Sequence, residues 1–396
     1  MNPFDGILWR CTIFQLINKK KGVSHMYKPK TDIAKKIMSG KLNRRQVMQA
    51  MGAAGLVATT QFGASNLLAA DNARVLTWSG YDIPDMYPGM DPERLEFTVA
   101  DDSESMLQKI RAGFQCDTAH PCNADPFRWR RADIIQPIDT SRCVHWDDLF
   151  EDSKKMPTTY FEGKHWFAPC EFGDTSIIVN TDTQPWINTD PGKESIMMLF
   201  DERLEGKVAM LDSAADSLYL IMIGMGIDVT KMENLTISDV DRLFDGPMEK
   251  LRPNIRLLSP DPTTLEESMM SGEVDAAIVW NESSWNTGYP MLSPKEGSLT
   301  WMCGFCIPKG ANLDVAYDVI NAAQSPECSA FMLLEYGYGH VNKVGYEAIS
   351  EADKIERGLA LDPMTHLQNG NFSNEAKPEV TDYIEARWAE WSAGVL

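Results

Sequence analysis

The chain has 396 residues, of which 43% are hydrophobic, and its formal net charge is −20. This length and apolar content allow a large protein with a substantial core, either two domains or one unit of two lobes. The acidic balance excludes nucleic acid as a partner, because binding its phosphates needs a basic surface.

The first 70 residues differ from the rest in charge. They carry eleven Lys and Arg against two acids, whereas the remaining chain carries 26 against 55. An arginine pair at 44–45 precedes a Gly- and Ala-rich apolar run at 47–58 and small residues at 69–70. This order is typical of a twin-arginine export signal, and the apolar run is well short of the roughly 20 residues of a membrane span. We therefore predict that residues 1–70 are a leader that is removed.

The predicted mature chain is an exported protein. No segment after the leader is long and apolar enough to span a membrane, so we expect a soluble periplasmic protein. Export brings the chain into an oxidising compartment, where disulfides persist. An odd number of cysteines remains, so at least one is free or pairs between chains, and the spacing leaves the connectivity open: Cys116, Cys122, Cys143, Cys170, Cys303, Cys306 and Cys328.

Strand and helix patterns alternate along the mature chain. In chain order, apolar periodicity and helix-start signals predict a strand at 74–80, helices at 103–113 and 127–135, a strand at 175–180, helices at 213–226 and 237–251, a strand at 274–280, and helices at 313–324 and 379–391. This alternation with short links predicts an α/β fold whose parallel sheets are covered by helices on both faces. Because no segment resembles a linker, we expect two lobes that exchange strands.

The chain lacks the motifs of common catalytic sites. It contains no G-x-S-x-G elbow, no Walker A loop and no H-E-x-x-H helix. It has only six histidines, and none of them stands at the spacing of metal ligands. We therefore predict no catalytic residues, no cofactor and no metal site.

The stretch TWMCGFC at 300–306 has the C-x-x-C spacing of redox and metal sites. In a thiol oxidoreductase this motif begins a helix, whereas here a β-rich flank precedes it and Pro308 follows it, which predicts a strand. Residues three apart on a strand face opposite sides, so we do not expect Cys303 and Cys306 to pair. We expect one core thiol and one surface or pocket thiol.

Several segments, taken in order, resemble the periplasmic spermidine/putrescine-binding subunits of bacterial ABC transporters. They are LTWSGYDIP (76–84) and EYGYGHVN (335–342), with 106–139, 166–182, 204–226, 271–284 and 297–311 between them. No single motif is diagnostic, but the ordered set spans nearly all of 74–391. The resemblance implies a two-lobed binding protein that closes on a ligand at a hinge, with 71–177 and 302–345 in one lobe and 178–301 and 346–396 in the other.

The resemblance also implies the ligand-binding residues. Five of the positions are aromatic, and their rings suit an apolar chain that bears cations: Trp78, Tyr81, Trp280, Trp301 and Tyr338. The other positions are small or acidic: Ser79, Cys122, Asp212, Ser213, Asp216 and Cys303. On the predicted hinge strand, Cys303 is then the pocket residue and Cys306 belongs to the core.

The acids match the family only in part. Gly80 and Cys303 stand where the family has carboxylates. Asp216 matches one of two acids in a second-lobe loop, while Ser213, next to Asp212, takes the place of the other. A buried ammonium group without a counter-ion is costly, so a polyamine, a monoamine and an amino-acid-like or opine-like solute all remain open. Three further acids could compensate for the missing carboxylates, although each is expected to be an ordinary solvated group: Asp82, Glu171 and Glu282.

These observations predict a monomeric solute-binding protein, not an enzyme, that delivers a small cationic or zwitterionic amine to the permease subunits of an ABC importer. A sensor that binds the same ligand and signals through a membrane partner would have the same sequence pattern. An alternative of another class is a thiol or metal protein that uses Cys122, Cys170 and Cys303, which the resemblance brings near the cleft.

Overall fold

The structure is a computed structural model, and it describes residues 72–394 apart from 101–102, 157 and the side chains of 364–366. The predicted leader lies outside the described residues. Within the described part of the chain, no helix is long and apolar enough to cross a membrane.

Strands and helices alternate through the described chain. The strands are β1 (Ala73–Trp78), β2 (Leu95–Ala100), β3 (Thr118–Ala119), β4 (Ile135–Gln136), β5 (Tyr160–Phe161), β6 (Lys164–His165), β7 (Ala168–Val179), β8 (Val208–Leu211), β9 (Ile255–Ser259), β10 (Ala276–Trp280), β11 (Leu299–Phe305), β12 (Ile307–Pro308), β13 (Gly339–His340) and β14 (Asn371–Phe372). The α-helices are α1 (Ser103–Arg111), α2 (Asp125–Arg131), α3 (Glu151–Lys154), α4 (Tyr219–Gly224), α5 (Ile237–Leu243), α6 (Glu249–Leu251), α7 (Pro262–Ser271), α8 (Glu282–Thr287), α9 (Leu313–Ala323), α10 (Pro326–Phe331), α11 (Lys343–Ala348), α12 (Glu351–Glu356), α13 (Pro363–Asn369) and α14 (Pro378–Ala393).

The first lobe is built on a parallel sheet in the order β2-β1-β3. The central strand, β1, is apolar on both faces, as a buried parallel strand must be. Val75 packs in one apolar cluster with Val319 of α9, and Leu76 packs in another with Met106 of α1. Successive residues of β1 point to opposite faces, so helices cover both sides of this sheet.

The second sheet has the order β14-β11-β7-β10-β8-β9, with β13 paired to β7. β8 runs parallel to both β9 and β10, while β7 is antiparallel to β10 and β11. Ile278 of β10 packs in a cluster with Leu220 of α4 and Trp388 of α14. Its neighbour Ala277 packs on the other face with Leu265 of α7.

Two antiparallel strands, β7 and β11, belong to both lobes. The first half of β7 packs in the first-lobe clusters through Cys170 and Phe172, and its second half packs in the second-lobe cluster through Ile177 and Val179. β11 pairs with nearly the whole length of β7. The chain therefore crosses between lobes on paired strands, as expected for lobes that exchange strands.

Two segments differ from their predicted form. The predicted helix at 213–226 begins with a π-helical turn, Ala214–Leu218, before α4. The predicted helix at 237–251 is interrupted by a second π-helical turn that contains Pro247, which has no N–H to donate. Tyr346 and Leu367 pack in an apolar cluster with Leu76, and β14 pairs with β11 in the second sheet, so the predicted lobe boundaries stay a prediction.

Candidate functional site

Most of the residues predicted to bind the ligand lie at or near the carboxyl ends of strands. Trp78 ends β1, Trp280 ends β10, and the loop after β8 carries Asp216. Ligands of α/β proteins bind at such strand ends, where loops from several strands meet. Trp301 lies on the crossing strand β11 between the lobes.

Four aromatic rings, here called the aromatic wall, pack against one another near these strand ends. The ring centroids of Tyr81 and Tyr336 are 5.6 Å apart, and those of Tyr336 and Tyr338 are 5.9 Å apart. Trp301 meets Tyr338 edge-on, with 4.9 Å between the centroids. Tyr336 is not among the predicted ligand residues, although it lies in the quoted stretch EYGYGHVN. Together the rings offer π faces that attract cations and apolar surface that packs on methylene groups.

Trp301 lies directly against the backbone of β7. A Cβ atom at Gly173 would lie 2.4 Å from the indole Cζ2 and 2.5 Å from Oδ1 of Asn281. That same Oδ1 accepts a hydrogen bond of 3.1 Å from the N–H of Asp174, which fixes the strand beside the ring. Only glycine leaves room here, and a glycine inside a buried strand is the sequence signal for such an approach.

Asp216 forms an acidic end of the cleft and is held by three neutral donors. Thr175 Oγ1 and Ser213 Oγ each donate to its carboxylate at 2.8 Å, and Trp280 Nε1 donates at 2.9 Å. Ser213 also precedes the π-helical turn that carries Asp216 and accepts the N–H of Asp216 at 3.2 Å. Because no donor is charged, the carboxylate is oriented while its negative charge stays available to a cation.

Some predicted residues lie away from this cluster. Asp212 accepts a hydrogen bond of 2.8 Å from Trp388 Nε1, so its carboxylate faces α14. Ser79 is exposed. Trp78 is partly exposed and packs against both apolar clusters of the first lobe, those of Val75 and of Leu76. Asp216 therefore faces Trp280, whereas its neighbour Asp212 faces α14.

Two acids that the sequence suggested were solvated are instead enclosed. Glu171 is completely buried, and its Oε1 lies 2.9 Å from Nε2 of His120. Nδ1 of His120 lies 3.0 Å from Thr77 Oγ1, and Tyr81 packs edge-on against the imidazole. Burial alone would raise the pKa of Glu171, but the charge and hydrogen bond of His120 hold it below its usual value. This acid is therefore ionised, and it faces the imidazole of His120, against which Tyr81 packs.

Glu282 is the second of these acids, a half-buried one, and no ion pair joins it to a basic side chain of the described residues. Burial raises the pKa of its carboxyl group to about 8, although a hydrogen bond with Tyr338 acts in the opposite direction. Its Oε2 atom is buried without a hydrogen-bond partner. Glu282 stands two residues after Trp280, but only its surroundings in the fold distinguish it from a solvated acid.

Cys122 and Cys303 form a disulfide bond across an antiparallel bridge between the loop after β3 and β11. The prediction that Cys303 does not pair with Cys306 is confirmed, since the buried thiol of Cys306 instead donates to the carbonyl oxygen of Trp166 at 3.3 Å. The expected pocket thiol at Cys303 is wrong, because its sulfur is bonded to Cys122. The disulfide leaves an uncharged group where the resemblance implied a carboxylate.

A separate sulfur cluster consists of Cys170, Cys328 and His340, all buried, with their candidate ligand atoms within 4.8 Å of one another. His340 Nδ1 accepts the N–H of Asn342 at 3.1 Å, while Nε2 lies 2.9 Å from the carbonyl oxygen of Ala323. This pattern places the imidazole proton on Nε2, the nitrogen that faces the cysteines. A metal at Nε2 would have to displace that proton, so the arrangement disfavours a neutral imidazole ligand.

The cysteine positions do not favour the thiol or metal alternative. Of its three proposed residues, Cys122 and Cys303 are bonded to each other, and Cys170 lies in the separate cluster with Cys328. The three sulfur atoms therefore do not form one reactive group.

The disulfide gives a direct prediction for the oxidised protein purified from the periplasm. Denaturation without reductant should expose five thiols, and peptide mapping should link Cys122 to Cys303. In the folded protein the five thiols are buried and should react slowly; they belong to Cys116, Cys143, Cys170, Cys306 and Cys328. As a control, Cys122→Ser should raise the count to six, because it frees Cys303. Seven thiols in the wild-type protein would contradict the pairing.

Two α/β lobes joined by a pair of crossing strands, with aromatic side chains at the strand ends between them, define a two-lobed fold. No protein-family model matches the chain. The chain is 24% identical to the putrescine-binding periplasmic protein PotF of Escherichia coli (strain K12) over 368 residues, which are 86% of this chain and 97% of that protein.

Solved structures give the same result for the fold. The spermidine/putrescine ABC transporter substrate-binding protein PotD of Streptococcus pneumoniae aligns with a TM-score of 0.65 at 19% identity, over 83% of this chain and 100% of that one. The Atu4243–GABA receptor aligns with a TM-score of 0.62 at 17% identity, over 81% and 97% of the two chains. The predicted family resemblance and the predicted two-lobed α/β fold are confirmed.

Proposed function

We propose that the chain is the periplasmic solute-binding protein of an ABC importer and that it captures putrescine or a related small amine for the permease in the membrane. The observation that carries this proposal is the composition of the cleft. An aromatic wall that includes Tyr81, Tyr338 and Trp301 stands beside two carboxyl groups, those of Asp216 and Glu282. The sequence relative named for putrescine binding supports the same ligand class.

The chemistry of the cleft suits an alkyl amine. An ammonium group is stabilised by a carboxylate and by the face of an aromatic ring, and both are present. The methylene chain of a diamine would pack on the rings of Tyr338 and Trp301, where burial contributes about 0.8 kcal/mol per methylene group. The role is binding and delivery, and the protein acts as a monomer that reaches the periplasm by the twin-arginine signal in residues 1–70.

A second candidate is the same transport role for a solute with a single ammonium group, such as an ω-amino acid. The disulfide between Cys122 and Cys303 favours this candidate, because it leaves one family carboxylate position uncharged. The two candidates differ in what occupies that end of the cleft: a second ammonium group in a diamine, or an uncharged or anionic group in an amino acid.

A thermal-shift screen of the protein purified from the periplasm tests the proposal. We expect putrescine or cadaverine to raise the melting temperature by several degrees, since a ligand at 100 times its Kd stabilises the folded state by about 2.7 kcal/mol. Spermidine, γ-aminobutyrate and divalent metal ions complete the panel. A shift with γ-aminobutyrate alone would select the second candidate. A shift with metal ions alone would contradict both.

A further inference from the structure

We infer that Glu282 is the counter-ion for an ammonium group of the ligand and that its carboxyl group releases a proton to the solvent when the ligand binds. The inference rests on the proposed function, because it names the acid that receives the amine. The family resemblance assigns no ligand contact to this position. It is carried by the geometry around one carboxyl group.

The fold brings Glu282 into the cleft. It is the first residue of α8 and follows β10, whose last residue, Trp280, donates its indole N–H to Asp216. The hydroxyl of Tyr338 acts on the carboxyl group of Glu282 and lowers its pKa against the effect of burial, and the Tyr338 ring is in edge contact with Trp301. The Oε2 atom of Glu282 is buried and has no hydrogen-bond partner. A buried acceptor of this kind indicates that a donor from outside the protein belongs there.

The charged groups that act most strongly on Glu282 are acids. Glu266 of α7 accepts hydrogen bonds from Ser283 at 2.7 Å and Asn286 at 3.0 Å, and its charge disfavours ionisation of Glu282. Asp216 acts in the same direction from the cleft. These two carboxylates therefore attract a cation, and they oppose the ionisation of Glu282 when no cation is present.

The other elements around the site show the same bias. Tyr336, which belongs to the aromatic wall, is affected by the charges of Asp82 and Glu335 as well as by that of Glu282. The guanidinium of Arg357, which follows α12, lies 3.8 Å from the centre of the ring of Trp285 on α8, one of the exposed apolar side chains. This basic group is therefore stacked on a surface ring.

The proton balance follows from these surroundings. In the empty cleft Glu282 is a neutral carboxylic acid at pH 7, because its pKa is raised to about 8. An ammonium ion beside it favours the carboxylate, so the O–H bond breaks, the electron pair stays on oxygen, and the proton goes to water. The charge is balanced: a cation enters the site, and a proton leaves it.

The pH dependence of binding has a defined sign. Only the carboxylate pairs with the ammonium group, so the affinity should rise about tenfold per pH unit while the empty site is protonated. The rise should level off near pH 8, where Glu282 ionises without the ligand. Alkyl ammonium groups remain charged through this range, as the ordinary lysine pKa of about 10.4 illustrates.

Isothermal titration of putrescine into the periplasmic protein at pH 7 tests the inference. The titration is performed in phosphate and in Tris, whose ionisation enthalpies differ, so the change in observed heat gives the number of protons released. We expect close to one proton per putrescine bound in the wild-type protein. Glu282→Gln should release none, bind 10- to 100-fold more weakly, and lose the pH dependence between 6 and 8.

Two controls make the outcome decisive. Glutamine resembles the neutral acid of the empty site, so Glu282→Gln should melt at the wild-type temperature at pH 7. Glu335→Gln changes an exposed acid near the aromatic wall and should keep the proton release. Putrescine binding without proton release, or proton release that survives in Glu282→Gln, would overturn this inference and leave the proposed function standing. No binding of putrescine, cadaverine, spermidine or γ-aminobutyrate would overturn both.

Discussion

Replacing Trp301 by alanine should weaken putrescine binding by about 30- to 1,000-fold, or about 2–4 kcal/mol, the loss typical of a central aromatic anchor. The indole lies between the backbone at Gly173 and the ring of Tyr338, so its removal takes away both a π face and the packing of the aromatic wall. Isothermal titration at pH 9, where Glu282 is largely ionised, measures this loss with little cost of proton release.

Two matched variants accompany Trp301→Ala. Trp301→Phe keeps a ring at this position and should lose tenfold or less. Trp285→Ala removes an exposed tryptophan that stacks on Arg357, and it should bind putrescine as the wild-type protein does. If Trp301→Ala bound with wild-type affinity, the ligand site would have to lie elsewhere than beside β11.

Glu171→Ala should lower the free energy of unfolding by about 1–3 kcal/mol, the usual cost of leaving a buried hydrogen-bonding group without its partner. His120 is also buried, so the substitution leaves its Nε2 atom without the carboxylate oxygen that it faces. Urea denaturation at pH 7 measures the change. Glu335→Ala removes an exposed acid instead and should change the stability by less than about 0.5 kcal/mol.

The destabilisation by Glu171→Ala should depend on pH. Because the folded protein holds the pKa of Glu171 below its ordinary value of 4.5, the charge of Glu171 contributes its full stability above that value. The contribution is lost as the pH falls through the lowered pKa, so the difference between variant and wild type should shrink in acid. A difference that stays constant from pH 7 to pH 3 would show that Glu171 stabilises through packing alone.

Local sequence signals predicted those elements whose pattern is complete within the segment. The helices expected at 313–324 and 379–391 are Leu313–Ala323 and Pro378–Ala393, and the strand at 74–80 is Ala73–Trp78. The strand expected at 175–180 is only the second half of β7. The first half of β7 has no strand signal of its own, and its pairing with β11 shows that it continues the same strand. The π-helical turn before α4 has no local signal, since the hydrogen bonds of Asp216 with distant residues hold it.

The aromatic character of the cleft was predictable from sequence, but the state of its acids was not. Glu171, Glu282 and Asp216 have the same chemistry as any surface carboxylate, and only contacts between distant segments distinguish them. Glu171 lies beside His120, burial raises the pKa of Glu282, and three neutral donors orient Asp216. The disulfide is a contact of the same kind, because 181 residues separate its cysteines.

The central claim is that an amine binds between the aromatic wall and the two carboxyl groups, and a crystal structure of the protein with putrescine tests it most directly. The account predicts one putrescine per chain, with its nitrogen atoms about 2.7–3.2 Å from carboxylate oxygens of Asp216 and Glu282 and its methylene groups against Trp301. Putrescine bound at another surface, or a cleft that stays empty at saturating putrescine, would contradict the account.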